Sequence, residues 1–380
     1  MSQPEALPTG RPRTLDEAKA WMRQRLAKQH PMNLVTEAVG GPVIDGLASL
    51  DGQTWGDAWG AAGARVREQA RAAAAAGDRD RAAALFLEAH GLYFLGRFPC
   101  PNHPKKLENA ALERDAYLEA AEYFDISTRR VVIPFEGREG EGREIAFLYR
   151  RPPGAERPPA VVMWGGVDAW KEQLTGTSDP LLKMGVATLA MDGPGTGESP
   201  VKGGIDGERQ FIAVFDWIAA QDDLDGAKVG LLGRSFGGYW VTKLCHTHPE
   251  RIAGGVSWGG GAHHMFQRDW VEASRFPDSY LMELVETRSR MLGAASDAEY
   301  IDFFRRLSLV DQGLLDRPCA PLLLVNGKAD RQCPVEDIFL LLEHGSPKSV
   351  RLFPGGHMGH TQRTVPTIVE WLADQVGAAS

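Results

Sequence analysis

The stretch from Lys228 to Trp240, KVGLLGRSFGGYW, restricts the fold more than any other part of the chain. A short apolar run, Val229 to Leu232, ends abruptly in Gly233-Arg234-Ser235-Phe236-Gly237. The residues that follow, Tyr239 to His246, read as a helix with Trp240, Leu244 and Cys245 turned inward. A strand, a tight turn and a helix with serine at the apex is the setting in which G-x-S-x-G carries chemical meaning. A serine on so strained a turn leaves no room for Cβ atoms on either side, which accounts for the flanking glycines. The strain lifts Oγ clear of the sheet, and the helix directs its first amides to where an oxyanion forms. Ser235 is the expected nucleophile. A glycine-rich turn with an incidental serine is the competing reading, and the strand before and helix after it weigh against that.

The flanking chain supports a sheet for this turn to project from. The first ~125 residues read as helical, with no strand pattern. Prolines 4, 8 and 12 suggest a loose lead-in, Thr14-Leu-Asp-Glu17 is a capping-box signature, and a glycine-rich link follows through Gly40, Gly41, Gly46 and Gly52. Trp55 to Ala76, Arg81 to Phe98 and Lys106 to Phe124 are helices broken by Gly77-Asp78 and by Pro99, Pro101 and Pro104. At Arg130 the character changes. Val131–Ile133 and Ile145–Tyr149 form an expected antiparallel pair. Short apolar runs at 161–164, 186–191, 229–232, 254–258, 321–325 and 349–353 then alternate with helices. This pattern predicts a mostly parallel eight-stranded sheet covered on both faces. A helical stretch rich in Met, Phe and Arg interrupts it at about 263–316. The expected division is therefore a helical N-terminal cap or lid over 1–125 and a catalytic domain over 126–380 carrying that insertion.

Serine needs a base to take its proton, and the base needs a third group to orient it. For a serine on such a turn, the acid and then the histidine follow in chain order. Asp330 lies five residues past Val325, where the apolar run ends, in Asn326-Gly-Lys-Ala-Asp330-Arg-Gln-Cys-Pro334. Asp311, Asp316 and Asp337 lack that strand-end context. Phe353-Pro-Gly-Gly-His357-Met-Gly-His360 offers two histidines. His357 comes first after the strand and is the expected base; His360, nearer the next helix, is expected to cap it or line the pocket. One oxyanion amide is expected from Phe236 and the second from Gly166, with Val167 the alternative. Asp168 reads either as a substrate contact or as a turn residue. Trp258, at a strand end, and His263 are further pocket candidates. The His357-x-x-His360 spacing has no other ligand cluster to support a metal. Asp192-Gly-Pro-Gly-Thr-Gly197 lacks the G-x-G-x-x-G spacing of a nucleotide loop. Neither metal nor cofactor is expected.

Charge and composition narrow the classes that remain. A net charge of −8 without a basic block argues against nucleic acid. No apolar run approaches the roughly 18 residues of a membrane span. The first residues have no apolar signal segment, and four scattered cysteines read as reduced thiols. The expectation is a cytoplasmic protein acting on a small-molecule substrate, with a homodimer left open.

With these residues in hand, the sequence resembles the α/β-hydrolase group containing 2,6-dihydropseudooxynicotine hydrolase, the fungal polyketide-shortening hydrolases and the FrsA-like esterases. The resemblance runs from roughly Arg81 onward. It is carried by GGVDAWKE (165–172), MDGPGTGE (191–198), GLLGRSFGG (230–238), SWGG (257–260), NGKADRQCP (326–334) and GGHMGH (355–360). It implies an α/β-hydrolase fold with an N-terminal helical segment closing over the core, and triad positions at Ser235, Asp330 and His357. Members of the group hydrolyse esters or cleave a carbon–carbon bond next to a carbonyl. A non-catalytic ligand-binding protein on the same fold is the alternative.

Overall fold

The computed structural model describes residues 10–378. The lead-in expected around Pro4 and Pro8 lies outside them. The chain divides into two compact units, one formed by Arg11–Thr128 with Tyr280–Thr287, the other by Arg129–Ser279 and the chain from Arg288 onward.

The first unit is helical: α1 (Leu15–Arg25), α2 (Glu37–Gly46), α3 (Gly52–Ala75), α4 (Arg79–Arg97) and α5 (Pro104–Ala121). Caps fix where the helices begin. Thr14 and Glu17 form the expected capping box before α1, and Asp51 accepts from the amides of Gln53 and Thr54 at the start of α3. α2 corrects the sequence reading, which took this region as a link. Gly40 packs so closely on Leu26 and Val35 that a Cβ there would lie 2.7 Å from Leu26. Packing of that kind overrides the poor helix propensity of glycine and of Pro42. Alanines at 70, 73, 82 and 120 let α3, α4 and α5 close around Phe86. Buried ion pairs supply the rest. Arg97 grips Glu113 with Nε–Oε2 at 2.6 Å and Nη2–Oε1 at 3.2 Å, both side chains almost fully buried. Lys106 Nζ lies 2.6 Å from Glu283 Oε2.

The second unit holds β1 (Arg129–Pro134), β2 (Glu144–Arg150), β3 (Pro159–Trp164), α6 (Thr175–Lys183), β4 (Ala187–Met191), α7 (Arg209–Ala219), β5 (Asp225–Arg234), α8 (Gly237–Thr247) and β6 (Ile252–Trp258). After β6 come α9 (Arg268–Ala273), α10 (Leu284–Leu292), within which the division between units falls, α11 (Asp297–Arg305), β7 (Leu322–Gly327), α12 (Glu336–Leu342), β8 (Lys348–Phe353) and α13 (Thr364–Gln375). The eight strands form one sheet in the order β1-β2-β4-β3-β5-β6-β7-β8. The pairings β1–β2 and β2–β4 are antiparallel and the others parallel. Central strands β4 and β7 are buried throughout, which is why they read as continuous apolar runs rather than alternating ones. The helical insertion is present as α9, α10 and α11.

Register decides where the chemistry gathers. Trp164 is paired with Gly233, Arg234 with Trp258, Trp258 with Val325, and Gly327 with Phe353. The loops leaving β3, β5, β6, β7 and β8 therefore emerge side by side at the carboxyl edge. The chain passes from β3 to β4 on one side and back to β5 on the other, so the order reverses at β3. Open α/β sheets bind their ligands at such a switch point.

Candidate active site

Ser235 follows β5 directly and opens α8. Its φ of 54° lies in the left-handed region that non-glycine residues avoid, at a cost on the order of 1–3 kcal/mol. Neighbours hold it there. Its amide donates to Trp258 O at 2.7 Å, and its carbonyl accepts from Gly238 at 2.9 Å. A Cβ at Gly233 would collide with the carbonyl of Gly237, so this flank of the serine must be glycine for the turn to close.

His357 sits in the turn after β8. Its Nε2 is 2.7 Å from Ser235 Oγ, and its Nδ1 is 2.8 Å from Asp330 Oδ2. With Asp330 accepting at Nδ1–H, Nε2 is left as the nitrogen that can take the serine proton. The carboxylate is saturated. Oδ2 also accepts from Asn326 Nδ2 at 2.8 Å, while Oδ1 accepts from the amides of Gln332 at 2.7 Å and Cys333 at 3.2 Å. Such satisfaction fixes one rotamer and aims one lone pair at the imidazole. His360 does not join this chain. It is exposed, with its ring 5.2 Å from that of Trp258.

The remaining candidates fall into two groups. Gly166 lies against the nucleophile, where a Cβ would be 2.9 Å from Ser235 Cβ and 3.2 Å from Oγ. Phe236 caps α8, where helix amides present partial positive charge. Trp164 ties these two segments together, donating from Nε1 to Gly237 O at 2.8 Å. Val167 beside Gly166 is half-buried. Trp258, His263 and Asp168 are engaged elsewhere. The Trp258 indole donates to Met358 O at 2.6 Å and so steadies the histidine turn. His263 Nδ1 is 2.7 Å from Ser308 Oγ. Asp168 is buried, and its charge offsets part of the penalty that burial imposes on the Arg234 guanidinium.

Three residues central to this geometry carried too little signal in the sequence. Asn326 ends β7 and bridges the acid and base loops: its Oδ1 accepts from Gly327 and Met358 while its Nδ2 donates to Asp330. A lone polar residue closing an apolar strand was the available clue. Asp337, set aside as a candidate acid, is fully buried and accepts from four successive amides, Ala262, His263, His264 and Met265. It shapes the turn after β6. Lys171, only a letter in GGVDAWKE, is buried with its Nζ 2.8 Å from Asp192, 2.9 Å from Glu198 and 3.1 Å from Glu172. Burial opposes the ammonium, but the three carboxylates together hold its pKa above the ordinary lysine value. The cluster links the loop after β3 to the loop after β4.

Asp330, Cys333 and His357 also bring three potential ligand atoms within 4.8 Å of one another. Burial first, then the nearby Asp330 charge, push the Cys333 thiol well above its usual pKa. The Cys333 amide, the Asp330 carboxylate and the His357 imidazole are held together by hydrogen bonds.

A switch-point site on this sheet, with helices on both faces, defines the class: the protein is an α/β-hydrolase. Solved structures agree. The 2,6-dihydroxy-pseudo-oxynicotine hydrolase superposes with a TM-score of 0.75 at 23% identity, covering 90% of this chain and 94% of that one. AbyA5 wild type superposes with a TM-score of 0.77 at 22% identity, covering 97% and 96%. At those identities the likeness concerns the fold. The family described as Esterase FrsA-like matches residues 41–377, and the chain belongs to it. Esterase FrsA of Photobacterium profundum is 26% identical over 341 residues, 88% of this chain and 79% of that protein. The 2,6-dihydropseudooxynicotine hydrolase of Paenarthrobacter nicotinovorans is 35% identical over a shorter stretch of 122 residues, 32% of this chain and 33% of the other. The protein is thus an enzyme of the esterase and hydrolase type, which sets aside the ligand-binding alternative. Among the described residues, no helix is long and apolar enough to cross a membrane.

Proposed function

We propose that the protein is a serine hydrolase that cleaves an ester, or a carbon–carbon bond next to a carbonyl, in a small organic substrate. Ser235 attacks the carbonyl carbon while His357 takes its proton through Nε2. Asp330 holds the imidazole and stabilises the imidazolium that results. Amides of Phe236 and Gly166 receive the developing oxyanion. Collapse of the tetrahedral intermediate expels the leaving group, to which His357 returns the proton. With an ester that group is an alkoxide; with a 1,3-dicarbonyl compound it is an enolate. A water whose proton His357 takes then cleaves the acyl–Ser235 ester, freeing the acid and restoring the serine hydroxyl. The observation that carries this reading is the unbroken chain Asp330–His357–Ser235, with links of 2.8 and 2.7 Å.

Two purified-protein measurements test it. A fluorophosphonate probe should label the wild type and spare Ser235→Ala, and equal labelling of both would refute the nucleophile. A panel of aryl esters beside 1,3-diketones, with the wild type, then separates ester from carbon–carbon cleavage. Residues 1–125, read from the sequence as a cap domain, form part of the same proposal as a segment required for turnover. Deleting them should remove nearly all activity although Ser235, Asp330 and His357 remain; a soluble truncation with unchanged kcat/KM would show the segment to be dispensable.

A further inference from the structure

Two motifs that the triad does not use, GGVDAWKE and MDGPGTGE, meet in one structure at the edge of the site. Asp192 follows β4, whose last residue Met191 is in register with Trp164 at the end of β3. The two loops therefore leave the sheet as neighbours. Asp192 is buried and turns both carboxylate oxygens to the other loop: Oδ1 accepts from the Lys171 amide at 2.9 Å and Oδ2 from Lys171 Nζ at 2.8 Å. Oδ2 also accepts from the Glu198 amide at 2.8 Å, and the Asp192 carbonyl accepts from Gln210 Nε2 at 2.8 Å. A Cβ at Gly197 would lie 2.2 Å from Oδ2, so glycine there leaves room for the carboxylate.

The chain between this anchor and the nucleophile is short and tightly folded. It doubles back so closely that a Cβ on Gly165 would stand 1.7 Å from Ala169 O. Gly165 O borders the nucleophile turn, 2.4 Å from where a Cβ of Gly237 would be, and Gly166 lies against Ser235 itself. Beyond Lys171, Gln173 O accepts from Arg234 Nη1 at 3.3 Å. A shift of Lys171 is therefore passed along the loop to Gly165 and Gly166. Oxyanion donors act only when held at hydrogen-bond distance from an oxygen that exists in the transition state. A buried ion cluster adds little net stability, because desolvation offsets attraction, and its best attested use is to fix one geometry.

We propose that Lys171 and Asp192 are positioning residues for the loop after β3, holding the Gly166 amide where the tetrahedral oxyanion forms. This inference rests on the serine hydrolase reading and adds to it two residues that touch no substrate. Because Asp192 accepts at both oxygens, Asp192→Asn keeps the shape but must turn its Nδ2 toward an N–H that it cannot satisfy. Lys171→Met keeps the backbone link and removes the ammonium one.

Three compounds test it: 4-nitrophenyl butyrate, benzoylacetone and phenethyl trifluoromethyl ketone. The first two report turnover of an ester and of a 1,3-diketone. The last adds reversibly to a serine hydroxyl, and its hemiketal oxyanion needs the same two amides as the transition state. On whichever compound the wild type turns over, Asp192→Asn should lower kcat by about 10²-fold and leave KM within about threefold. That kcat is counted per site labelled to completion by a fluorophosphonate. Affinity for the trifluoromethyl ketone should fall by a similar factor. Lys171→Met should move both quantities in the same direction, and Lys171→Arg, which restores a cation, should recover part of each. If Asp192→Asn fails to fold, the two Lys171 variants decide the matter. If the wild type binds the ketone without turning over either substrate, the ketone affinities decide it. Fewer labelled sites or a lower Tm, with kcat per site and ketone affinity unchanged, would make the cluster a structural support only and overturn the inference. A rise in KM alone would overturn it too. A wild type that takes up neither the ketone nor the fluorophosphonate and turns over neither substrate would instead sink the serine hydrolase reading, and this inference with it.

Discussion

Arg97 and Glu113 in the helical unit, and Asp330 and Asp337 beside the sheet edge, are all buried ionisable groups, yet they are stabilised differently. In the helical unit each charge meets an opposite charge: Arg97 with Glu113, and Lys106 with Glu283. At the sheet edge the two aspartates are surrounded by neutral donors. Asp337 takes four backbone amides, and Asp330 takes two amides and the Asn326 side chain. An ion pair fixes the register of two helices but neutralises both members. Amide donors hold a carboxylate in place and leave its charge available to an imidazolium. Buried charge thus ties helices together in one region, whereas in the other Asp337 shapes a turn and Asp330 is held against the His357 imidazole.

The sharpest way to break this comparison is to remove the groups proposed to react. Ser235→Ala should lower kcat by about 10⁴- to 10⁶-fold with little change in stability. His357→Ala should match it and be non-additive with it, because the groups act as a unit. His360→Ala should fall short of that loss by orders of magnitude, and steady-state kinetics of the four proteins would expose an exchange of roles between the histidines.

Next is the helical unit, where charge serves assembly. Glu113→Ala leaves Arg97 buried without its partner and should cost about 3–5 kcal/mol in urea unfolding. Replacing both, Arg97→Met with Glu113→Leu, should recover most of it. If the single variant unfolds at the wild-type urea midpoint, the pair has no role in holding α4 on α5.

Asn326→Ala sharpens the sheet-edge side. It unties the acid loop from the histidine turn without touching a reacting atom, and slight misplacement can lower kcat by roughly 10²-fold. KM should hardly move. A large rise in KM with kcat intact would mean that Asn326 contacts substrate and does not position the triad.

The smallest effect expected is in pH dependence. Burial, then the nearby Lys348 charge, lower the pKa of His246 to about 4, and neutral imidazole suits its 3.2 Å contact with Arg317 O. Its pKa is thus depressed in the folded state relative to about 6.5 in the unfolded chain. The unfolded state takes up the proton first as pH falls, so stability present above pH ~6.5 declines between about 6.5 and 4. Urea midpoints measured from pH 7 to 4.5 should fall in wild type and fall less in His246→Gln; parallel curves would remove His246 from the explanation.

Much of this enzyme could be read from one dimension. The strand-turn-helix around Ser235, the eight apolar runs and the chain order of Ser235, Asp330 and His357 are local patterns, because φ/ψ strain, strand burial and helix caps depend on near neighbours. The break at Arg130 was visible for the same reason, as helical periodicity gave way to short apolar runs. Other features could not be read that way. α2 forms despite glycine and proline because Leu26 and Val35 pack on it. The placing of His357, and not His360, beside Ser235 follows from the register of β7 with β8 and from the Trp258 and Asn326 contacts to Met358. Lys171, Asp192 and Asp337 look like ordinary surface residues in the sequence. Their charges acquire meaning only when the fold removes water from around them, and which groups then replace the water is settled by contacts between residues up to 75 positions apart.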